Sequence, residues 1–293
     1  MSFEFFPPRE PAADAEFFAA LHRLATLDPS FVSVTHGADG SSRDRTRPLV
    51  ERLSSVPRLV VAPHQTCIGA TRREIRDRAR DYWSMGIRHV IALRGDRPAK
   101  QTAAAAPTEL ADAAQLVAAL RDVADFEISV AGYPEKHPEA RTWAEDIAHL
   151  KAKCDAGAAR IITQFFFEAD AFLRFRDRCS AAGIRAPIAA GIMPIVRLSQ
   201  VRRFASRCGA TVPRWVDERF AHVEEGTAAS QRVSVAIASE LVGRLLREGI
   251  EHLHWYTLNR AGLCLEIARA LGIDEGRAET LRAAAEDDEA LRA

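Results

Sequence analysis

A carboxylate lies inside the short apolar segment at the start of the chain. Ser2 to Arg9 reads SFEFFPPR, in which Glu4 stands among three phenylalanines. Burial without a partner disfavours the charged form of a carboxylate, so Glu4 is a candidate general acid. Pro7 and Pro8 cannot continue a strand and end it directly after this segment. The alternatives are that Glu4 pairs with an arginine elsewhere or faces water on an edge strand.

Polar groups also follow most of the later apolar segments. They are Thr35 to Ala38, His64, Arg94 to Asp96, Tyr133 to Pro138, Gln164, and Asn259 with Arg260. Each has a structural explanation when taken alone, because strand-end residues cap helices and form turns. Together they form a set with a chemical preference. Arg94, His64, His137, Lys136 and Lys153 suit phosphate, and Asp96 and Asp146 suit sugar hydroxyls, so the set fits a large ligand with phosphates and a ring system.

Apolar runs of strand length alternate with helical patterns along the chain. The predicted strands are Ser2–Phe6, Phe31–Thr35, Leu59–Pro63, His89–Leu93, Glu127–Ala131, Arg160–Phe165, Pro187–Gly191 and His252–Tyr256. Helical periodicity is clear in Arg72–Met85, Ala111–Val123 and Ala140–Ala156. Continuous apolar strands separated by helices indicate parallel pairing, and no GxGxxG phosphate loop favours an open sheet. The pattern therefore predicts a single α/β domain over 1–293, a (β/α)8 TIM barrel whose site lies at the carboxyl ends of the strands.

Three segments depart from the regular alternation. Ser199 to Gly249 contains no convincing strand and predicts two or three extra helices before the last strand. Arg97 to Pro107 is rich in alanine and predicts a mobile loop after the fourth strand. Asp274 to Ala293 is charged and predicts a terminal helical tail.

Composition excludes several classes of partner. Forty basic residues balance forty acidic ones, so no global field favours nucleic acid or an anionic membrane. No apolar run reaches the roughly 20 residues of a membrane helix, and no signal peptide is present, so we expect a cytoplasmic protein. The five cysteines form no CxxC pair, and neither HExxH nor GxSxG occurs, so we expect no metal site and no serine-hydrolase site.

Long motifs resemble bacterial methylenetetrahydrofolate reductase. They occur in order as SFEFFPPR (Ser2–Arg9), FVSVTHGA (Phe31–Ala38), APHQTCI (Ala62–Ile68), DYWSMGIRHVIALRGD (Asp81–Asp96), YPEKHPEA (Tyr133–Ala140), ITQFFFE (Ile162–Glu168) and YTLNRA (Tyr256–Ala261). The resemblance implies a barrel that holds FAD and reduces 5,10-methylenetetrahydrofolate to 5-methyltetrahydrofolate with NADH or NADPH. The nucleotide would reduce the flavin and leave before folate takes the hydride at the same site, which supplies methyl groups for methionine synthesis. The family also implies a homo-oligomer.

The same resemblance implies roles for individual residues. Glu4 matches the acid that protonates the folate N10, and Asp96 matches a carboxylate that stabilises the resulting cation and makes the flavin harder to reduce. Folate contacts carry over to Asp96, Gln164, Phe172, Phe204 and Arg260, with Gln164 and Phe204 also facing the nicotinamide nucleotide. Cofactor contacts carry over to Thr35, His36, Ala38, His64, Arg94, Gly95, Asp96, Ala113, Tyr133, His137, Ala140, Asp146, His149 and Lys153. His36 stands where the family usually has tyrosine, which implies a pH-sensitive contact.

Two other functions stay open at this point. One keeps the barrel and the folate site but takes electrons from a protein partner instead of a nicotinamide nucleotide. The other is a folate-binding or flavin-binding subunit without turnover. Retention of both Glu4 and Asp96 argues against the second.

Overall fold

Eight parallel strands close into a barrel. The structure is a computed structural model and describes residues 1–36, 43–96 and 108–273. The strands are β1 (Ser2–Phe5), β2 (Phe31–Val34), β3 (Val61–Thr66), β4 (His89–Leu93), β5 (Glu127–Gly132), β6 (Arg160–Thr163), β7 (Ile188–Ile192) and β8 (Leu253–Tyr256). Each strand pairs with the next along the chain, and β8 pairs with β1. This confirms the predicted (β/α)8 barrel.

Helices surround the barrel and connect its strands. They are α1 (Asp14–Ala25), α2 (Arg43–Ser54), α3 (Arg72–Ser84), α4 (Ala113–Arg121), α5 (Trp143–Asp155), α6 (Ala169–Ala181), α7 (Leu198–Cys208), α8 (Arg214–Phe220), α9 (Ala228–Arg247) and α10 (Gly262–Ala270). Side-chain oxygens of Thr71, Asp112, Thr142 and Thr227 cap the first turns of α3, α4, α5 and α9, where orphan N–H groups need acceptors. Three helices, α7 to α9, separate β7 from β8, which confirms the extra helices.

Period-two alternation on β1 sends its phenylalanines away from Glu4. Phe3 and Phe5 are fully buried in the core between the barrel and its helices, as the alternation predicts. The same alternation predicts that Phe6 lies on the face of Glu4 and helps to keep its carboxyl group protonated, but 41% of Phe6 is exposed, so it does not cover Glu4. β1 ends at Phe5, and the side chain of Asn259 holds the backbone N–H and C=O of Phe6, which takes this residue out of the strand alternation.

The inside of the barrel is polar for this class of fold. Its apolar cluster consists of Phe31, Ala62, Ile91, Ile162 and Ala189, whereas barrels of this type are usually filled by layers of branched apolar residues. The buried polar side chains that share the interior faces of the strands are Ser2, Ser33, His64, His89, Ser129 and His254. A polar interior needs a reason, because each buried polar group costs free energy unless it is paired.

The observed strand ends shift some predicted positions. β3 was predicted as Leu59–Pro63 but runs from Val61 to Thr66, because His64, Gln65 and Thr66 pair with β4. His64 therefore lies within a strand and not after it. The loop Arg97–Pro107, the tail Asp274–Ala293 and Ala38 lie outside the described residues.

Candidate active site

Two adjoining cavities open at the carboxyl ends of the strands. The barrel cavity, of about 430 Å³, is lined by groups from the strand ends, among them Glu4, Asp96 and Gln164. The side cavity, of about 370 Å³, lies along α4 and α5 and is lined by Asp146 and His149 among others. The two share Arg94, Ala113, Ala131, Tyr133, His137, Glu139 and Lys153. Together they form one elongated site at the edge where barrels of this class bind ligands.

Most of the predicted site residues line this elongated site. The barrel cavity brings together Glu4, Thr35, His36, His64, Arg94, Gly95, Asp96, Ala113, Tyr133, His137, Lys153 and Gln164. The side cavity adds Ala140, Asp146 and His149. Parallel strands that end at one rim explain how groups so far apart in sequence meet.

Three predicted folate contacts do not line either cavity. Phe172 is fully buried and stacks on Phe166, with ring centroids 5.3 Å apart, in the layer between α6 and the barrel. In this packing Phe172 lines neither cavity, and its contact with folate stays a prediction. Phe204 is partly buried and packs in the cluster formed by the helices after β7. Arg260 is exposed, and its backbone N–H donates to the carbonyl of Thr257.

Among the described residues, the ionisable side chains that pair with Glu4 are two imidazole rings and no arginine. Its Oε2 is 3.4 Å from Nε2 of His64 and 3.8 Å from Nε2 of His254, and its side chain is 20% exposed. The hydroxyl of Thr257 donates to the backbone carbonyl of Glu4 at 2.6 Å, which ties the end of β1 to the turn after β8. Since β1 pairs on both sides, the edge-strand alternative is wrong. Glu4 is half-buried, lines the barrel cavity and can deliver a proton to a ligand there.

Both rings beside Glu4 are buried in the barrel. Burial lowers the pKa of His64, although the nearby carboxylate of Glu4 acts in the opposite direction, so His64 is neutral at neutral pH. The carbonyl of His64 lies 3.1 Å from Nδ1 of His36, which fixes the ring of His36 at the rim. His254 was not predicted as a site residue. Its two-residue spacing from Tyr256 on β8 is the signal that both face the interior.

An ion pair joins β4 to the loop after β5 at the junction of the cavities. Arg94 donates to both carboxylate oxygens of Glu139, at 2.6 and 2.7 Å. Hydrogen bonding to Glu139 raises the pKa of Arg94. The junction therefore holds a permanent cation in a planar fork, a group suited to a phosphate or carboxylate of a ligand.

Lys153 and Asp146 place opposite charges on the inner side of α5. The ammonium of Lys153 donates to the carbonyl of Ala131 at 2.5 Å, and burial lowers its pKa to about 8. Asp146 accepts the backbone N–H of His137 at 3.1 Å, and the ring of Tyr133 meets that of His137 edge to face. This wall is held by contacts within the protein, so a ligand would meet preorganised groups.

Asp96 after β4 and Gln164 after β6 both line the barrel cavity. Asp96 is exposed at the rim after β4, where Gly95 adopts a φ of 92° that favours glycine. The backbone N–H of Gln164 donates to Gly132, and its side-chain oxygen accepts the N–H of Phe165. The Gln164 amide nitrogen is then the group left to donate to a ligand.

Two kinds of feature are absent from the described residues. Among residues 1–36, 43–96 and 108–273, no group of three or more His, Cys, Asp or Glu side chains has a geometry that could hold a metal ion. In the same ranges no helix is long and apolar enough to cross a membrane.

The fold and the site define a (β/α)8-barrel enzyme. A half-buried acid lines its elongated site, which also holds arginine and lysine side chains. The family model for methylenetetrahydrofolate reductase matches residues 1–272. The chain belongs to the methylenetetrahydrofolate reductase family, which confirms the resemblance seen in the motifs.

Individual relatives agree with this assignment. The chain is 45% identical to the 5,10-methylenetetrahydrofolate reductases of Salmonella typhimurium and Escherichia coli, over 94% of this chain and 92% of each relative. It is 35% identical to methylenetetrahydrofolate reductase (NADH) 1 of Arabidopsis thaliana, over 94% of this chain but 49% of that protein.

A solved structure supports the fold. It is an uncharacterized protein from Clostridium thermocellum that binds two copies of 5-methyl-5,6,7,8-tetrahydrofolic acid. The TM-score is 0.58 at 17% identity, and the match covers 94% of each chain. At this identity the likeness bears on the fold alone.

Proposed function

We propose that this protein reduces 5,10-methylenetetrahydrofolate to 5-methyltetrahydrofolate, with FAD as its resident cofactor and NADH or NADPH as the electron donor. The observation that supports this most is the placement of Glu4, a half-buried acid at the cavity, in a chain that matches the family over residues 1–272. The product would carry the methyl group needed for methionine synthesis.

The residues of the site fit FAD. The ligand is long, with a ring system at one end and two phosphates in the middle, and the two joined cavities are elongated with Arg94 at their junction. Within the described residues, the hydroxyl oxygen of Thr66 is buried without a hydrogen-bond partner and lines the barrel cavity, so it offers a polar contact to a ring. Thr66, His64, Arg94 and Lys153 would hold the cofactor, together with the other predicted contacts. FAD supplies hydride transfer when it is bound.

Glu4 would open the five-membered ring of the substrate. Transfer of its proton to N10 breaks the bond between N10 and the methylene carbon and leaves a cationic iminium at N5. The carbon of this iminium accepts a hydride and becomes the methyl group, N10 keeps the proton, and Glu4 is left as a carboxylate that takes up a proton before the next cycle. The carboxylate of Asp96 would stabilise the cation.

Both substrates must bring a carbon atom to the flavin in the barrel cavity. The nucleotide gives a hydride to the flavin, and the folate receives one from it. We infer that the nicotinamide nucleotide and the folate bind there in turn, which is the ping-pong order. Gln164 lines this cavity, and its amide would contact either one.

Asp96→Asn tests the electrostatic part of this proposal. Loss of the carboxylate charge should raise the midpoint potential of the bound flavin and slow folate reduction by roughly 100-fold, since a fixed charge aimed at a developing opposite charge is lost. Spectroelectrochemistry and single-turnover kinetics measure the two effects. An unchanged potential together with an unchanged folate rate would contradict the role of Asp96.

The pKa of Lys153 predicts a pH dependence of cofactor binding. A lysine with a pKa of about 8 is cationic below that pH and loses its charge as pH rises through it. The affinity of the apoprotein for FAD should therefore weaken by roughly tenfold between pH 7 and pH 9, as measured by quenching of flavin fluorescence. Lys153→Arg, which stays charged, should flatten this dependence, and a wild-type affinity that does not change with pH would contradict it.

The function itself is tested on the purified protein. We expect a flavin absorbance spectrum, and we expect NADH or NADPH oxidation that yields 5-methyltetrahydrofolate when methylenetetrahydrofolate is present. Oxidation of neither nucleotide, even with menadione as acceptor, would favour a protein electron donor. A flavin spectrum with no folate-dependent reoxidation would favour a binding subunit.

A further inference from the structure

A line of buried polar side chains runs from Glu4 into the barrel. Oε2 of Glu4 is 3.8 Å from Nε2 of His254, about one ångström longer than a hydrogen bond. Nδ1 of His254 lies 2.7 Å from the hydroxyl oxygen of Ser2. His254 is 0% exposed and Ser2 is 3% exposed. Both side chains are therefore buried inside the barrel.

Two ring nitrogens face the same oxygen of Glu4 without another partner. Within the described residues, Nε2 of His64 and Nε2 of His254 are buried and make no hydrogen bond. The hydroxyl oxygen of Ser33, the register partner of Glu4 on β2, is in the same condition. Buried polar atoms of this kind are costly in a fold, so their gathering around one carboxyl group indicates that they serve it.

The bond to Ser2 selects the tautomer of His254. Within the described residues, Nδ1 of His254 is the one hydrogen-bond partner of the Ser2 hydroxyl. A hydroxyl proton left without an acceptor in a buried site is costly, so the hydroxyl donates to Nδ1. With Nδ1 as the acceptor, the ring carries its proton on Nε2, the nitrogen that faces Glu4.

We propose that His254, oriented by Ser2, is a positioning residue that points an N–H donor at Glu4 and stabilises the carboxylate formed when Glu4 gives its proton to the substrate. This rests on the proposed function, in which Glu4 is the acid. A small rotation of the Glu4 carboxyl closes the gap to Nε2. The donor would hold the carboxyl group of Glu4 in place at the cavity.

Within the described residues, two other titratable groups face Glu4. They are His64 on β3 and Tyr256, which shares β8 with His254. Burial keeps His64 neutral, and the hydroxyl of Tyr256 donates to the carbonyl of Thr163 at 2.8 Å. Burial also raises the pKa of Tyr256 well above its usual value, so it stays uncharged. Further along the interior, His89 is neutral because burial lowers its pKa to about 3.

The barrel contains a matched control for the pair of Ser2 and His254. The hydroxyl oxygen of Ser129 lies 2.8 Å from Nε2 of His89, and both residues are buried in the same barrel interior. Among the described residues, the rings that face the Glu4 carboxyl group are those of His64 and His254. Ser129→Ala thus removes the same kind of bond, at the same depth, without acting on the acid.

Ser2→Ala in the FAD-loaded enzyme should slow flavin reoxidation by methylenetetrahydrofolate roughly tenfold, the size of effect seen when a partner that orients a histidine is removed. Bleaching of the flavin by NADH should stay within about twofold of wild type, since that step uses no proton from Glu4. The pH at which the folate step falls to half its plateau should move upward, because the carboxylate of Glu4 has lost a donor that stabilises it. His254→Phe, which keeps a ring against Phe31, should show the same shift.

Nitrogen-15 NMR of the histidines gives a readout independent of activity. The signals of His254, assigned by their loss in His254→Phe, should show the proton on Nε2 in wild type and a changed tautomer balance in Ser2→Ala. The Ser129→Ala variant should match wild type in the folate step and its pH profile.

Three results would overturn the proposal. They are a wild-type His254 protonated on Nδ1, a Ser2→Ala pH profile identical to wild type, or equal losses in Ser2→Ala and Ser129→Ala. If wild type itself is not reoxidised by methylenetetrahydrofolate, the proposed function fails first, and the NMR result still decides whether Ser2 sets the tautomer.

Discussion

Glu4→Gln should slow reoxidation of the flavin by methylenetetrahydrofolate by roughly 1,000-fold, within the range given by loss of a general acid. The amide has nearly the shape of the carboxyl group but has no proton to give at neutral pH. Bleaching of the flavin by NADH or NADPH should stay within about twofold of wild type, because hydride donation by the nucleotide requires no acid. Stopped-flow absorbance resolves the two half-reactions.

The control for this variant is Glu16→Gln, on the exposed side of α1. It makes the same chemical change far from the cavity and should leave both half-reactions at wild-type rates. Equal losses in both half-reactions of Glu4→Gln would mean that the substitution damages the site as a whole, and the acid role would be abandoned.

Gly191→Ala should be the most destabilising small substitution in the barrel. A Cβ at Gly191 on β7 would overlap the backbone carbonyl oxygen of Thr163 and crowd the ring of Tyr256. The backbone N–H of Gly191 also donates to the side chain of Thr163 at 2.9 Å, so the two strands have little freedom to separate. We expect a loss of about 3 kcal/mol in the free energy of unfolding and a fall of about 6–12 °C in Tm. Circular dichroism during heating measures it.

Gly262→Ala is the matched control for the stability effect. Gly262 begins α10, and a Cβ there would meet no atom within 4 Å. Alanine has the better helix propensity, so the control should be neutral or stabilised by up to about 1 kcal/mol. If the Gly191→Ala protein had the same Tm as the Gly262→Ala control, β6 and β7 would have more space between them than the structure gives them.

The barrel and the rim could be predicted from local patterns. Strand-length apolar runs alternate with helical periodicity, and that rhythm alone predicts eight parallel strands and a site at their carboxyl ends. The family motifs then assigned individual groups, and the structure brings most of them to the two joined cavities.

The partners of Glu4 could not be predicted in the same way. His254 lies 250 residues from Glu4, and only closure of β8 onto β1 brings the two together. Alternation on β8 shows that His254 and Tyr256 share a face, but it does not show which strand that face meets. The position of the Phe6 side chain could not be predicted for a related reason. The side chain of Asn259, which is distant in sequence, binds the backbone of Phe6 and ends the alternation of β1.

Phe172 shows the limit of transferring a contact by position. Its place on α6 follows the helical period, and that period turns it onto Phe166 and away from the cavity. Which face of a helix meets the barrel depends on the packing of its neighbours, and the motif around β6 does not contain that information.

A single-turnover experiment tests the central claim most directly. The wild-type protein is bleached anaerobically with a stoichiometric amount of NADH and then mixed with methylenetetrahydrofolate. Flavin absorbance should return, with one 5-methyltetrahydrofolate formed for each flavin reoxidised. A flavin that stays bleached, or that is reoxidised without forming 5-methyltetrahydrofolate, would contradict the assignment of this barrel as a flavin-dependent folate reductase.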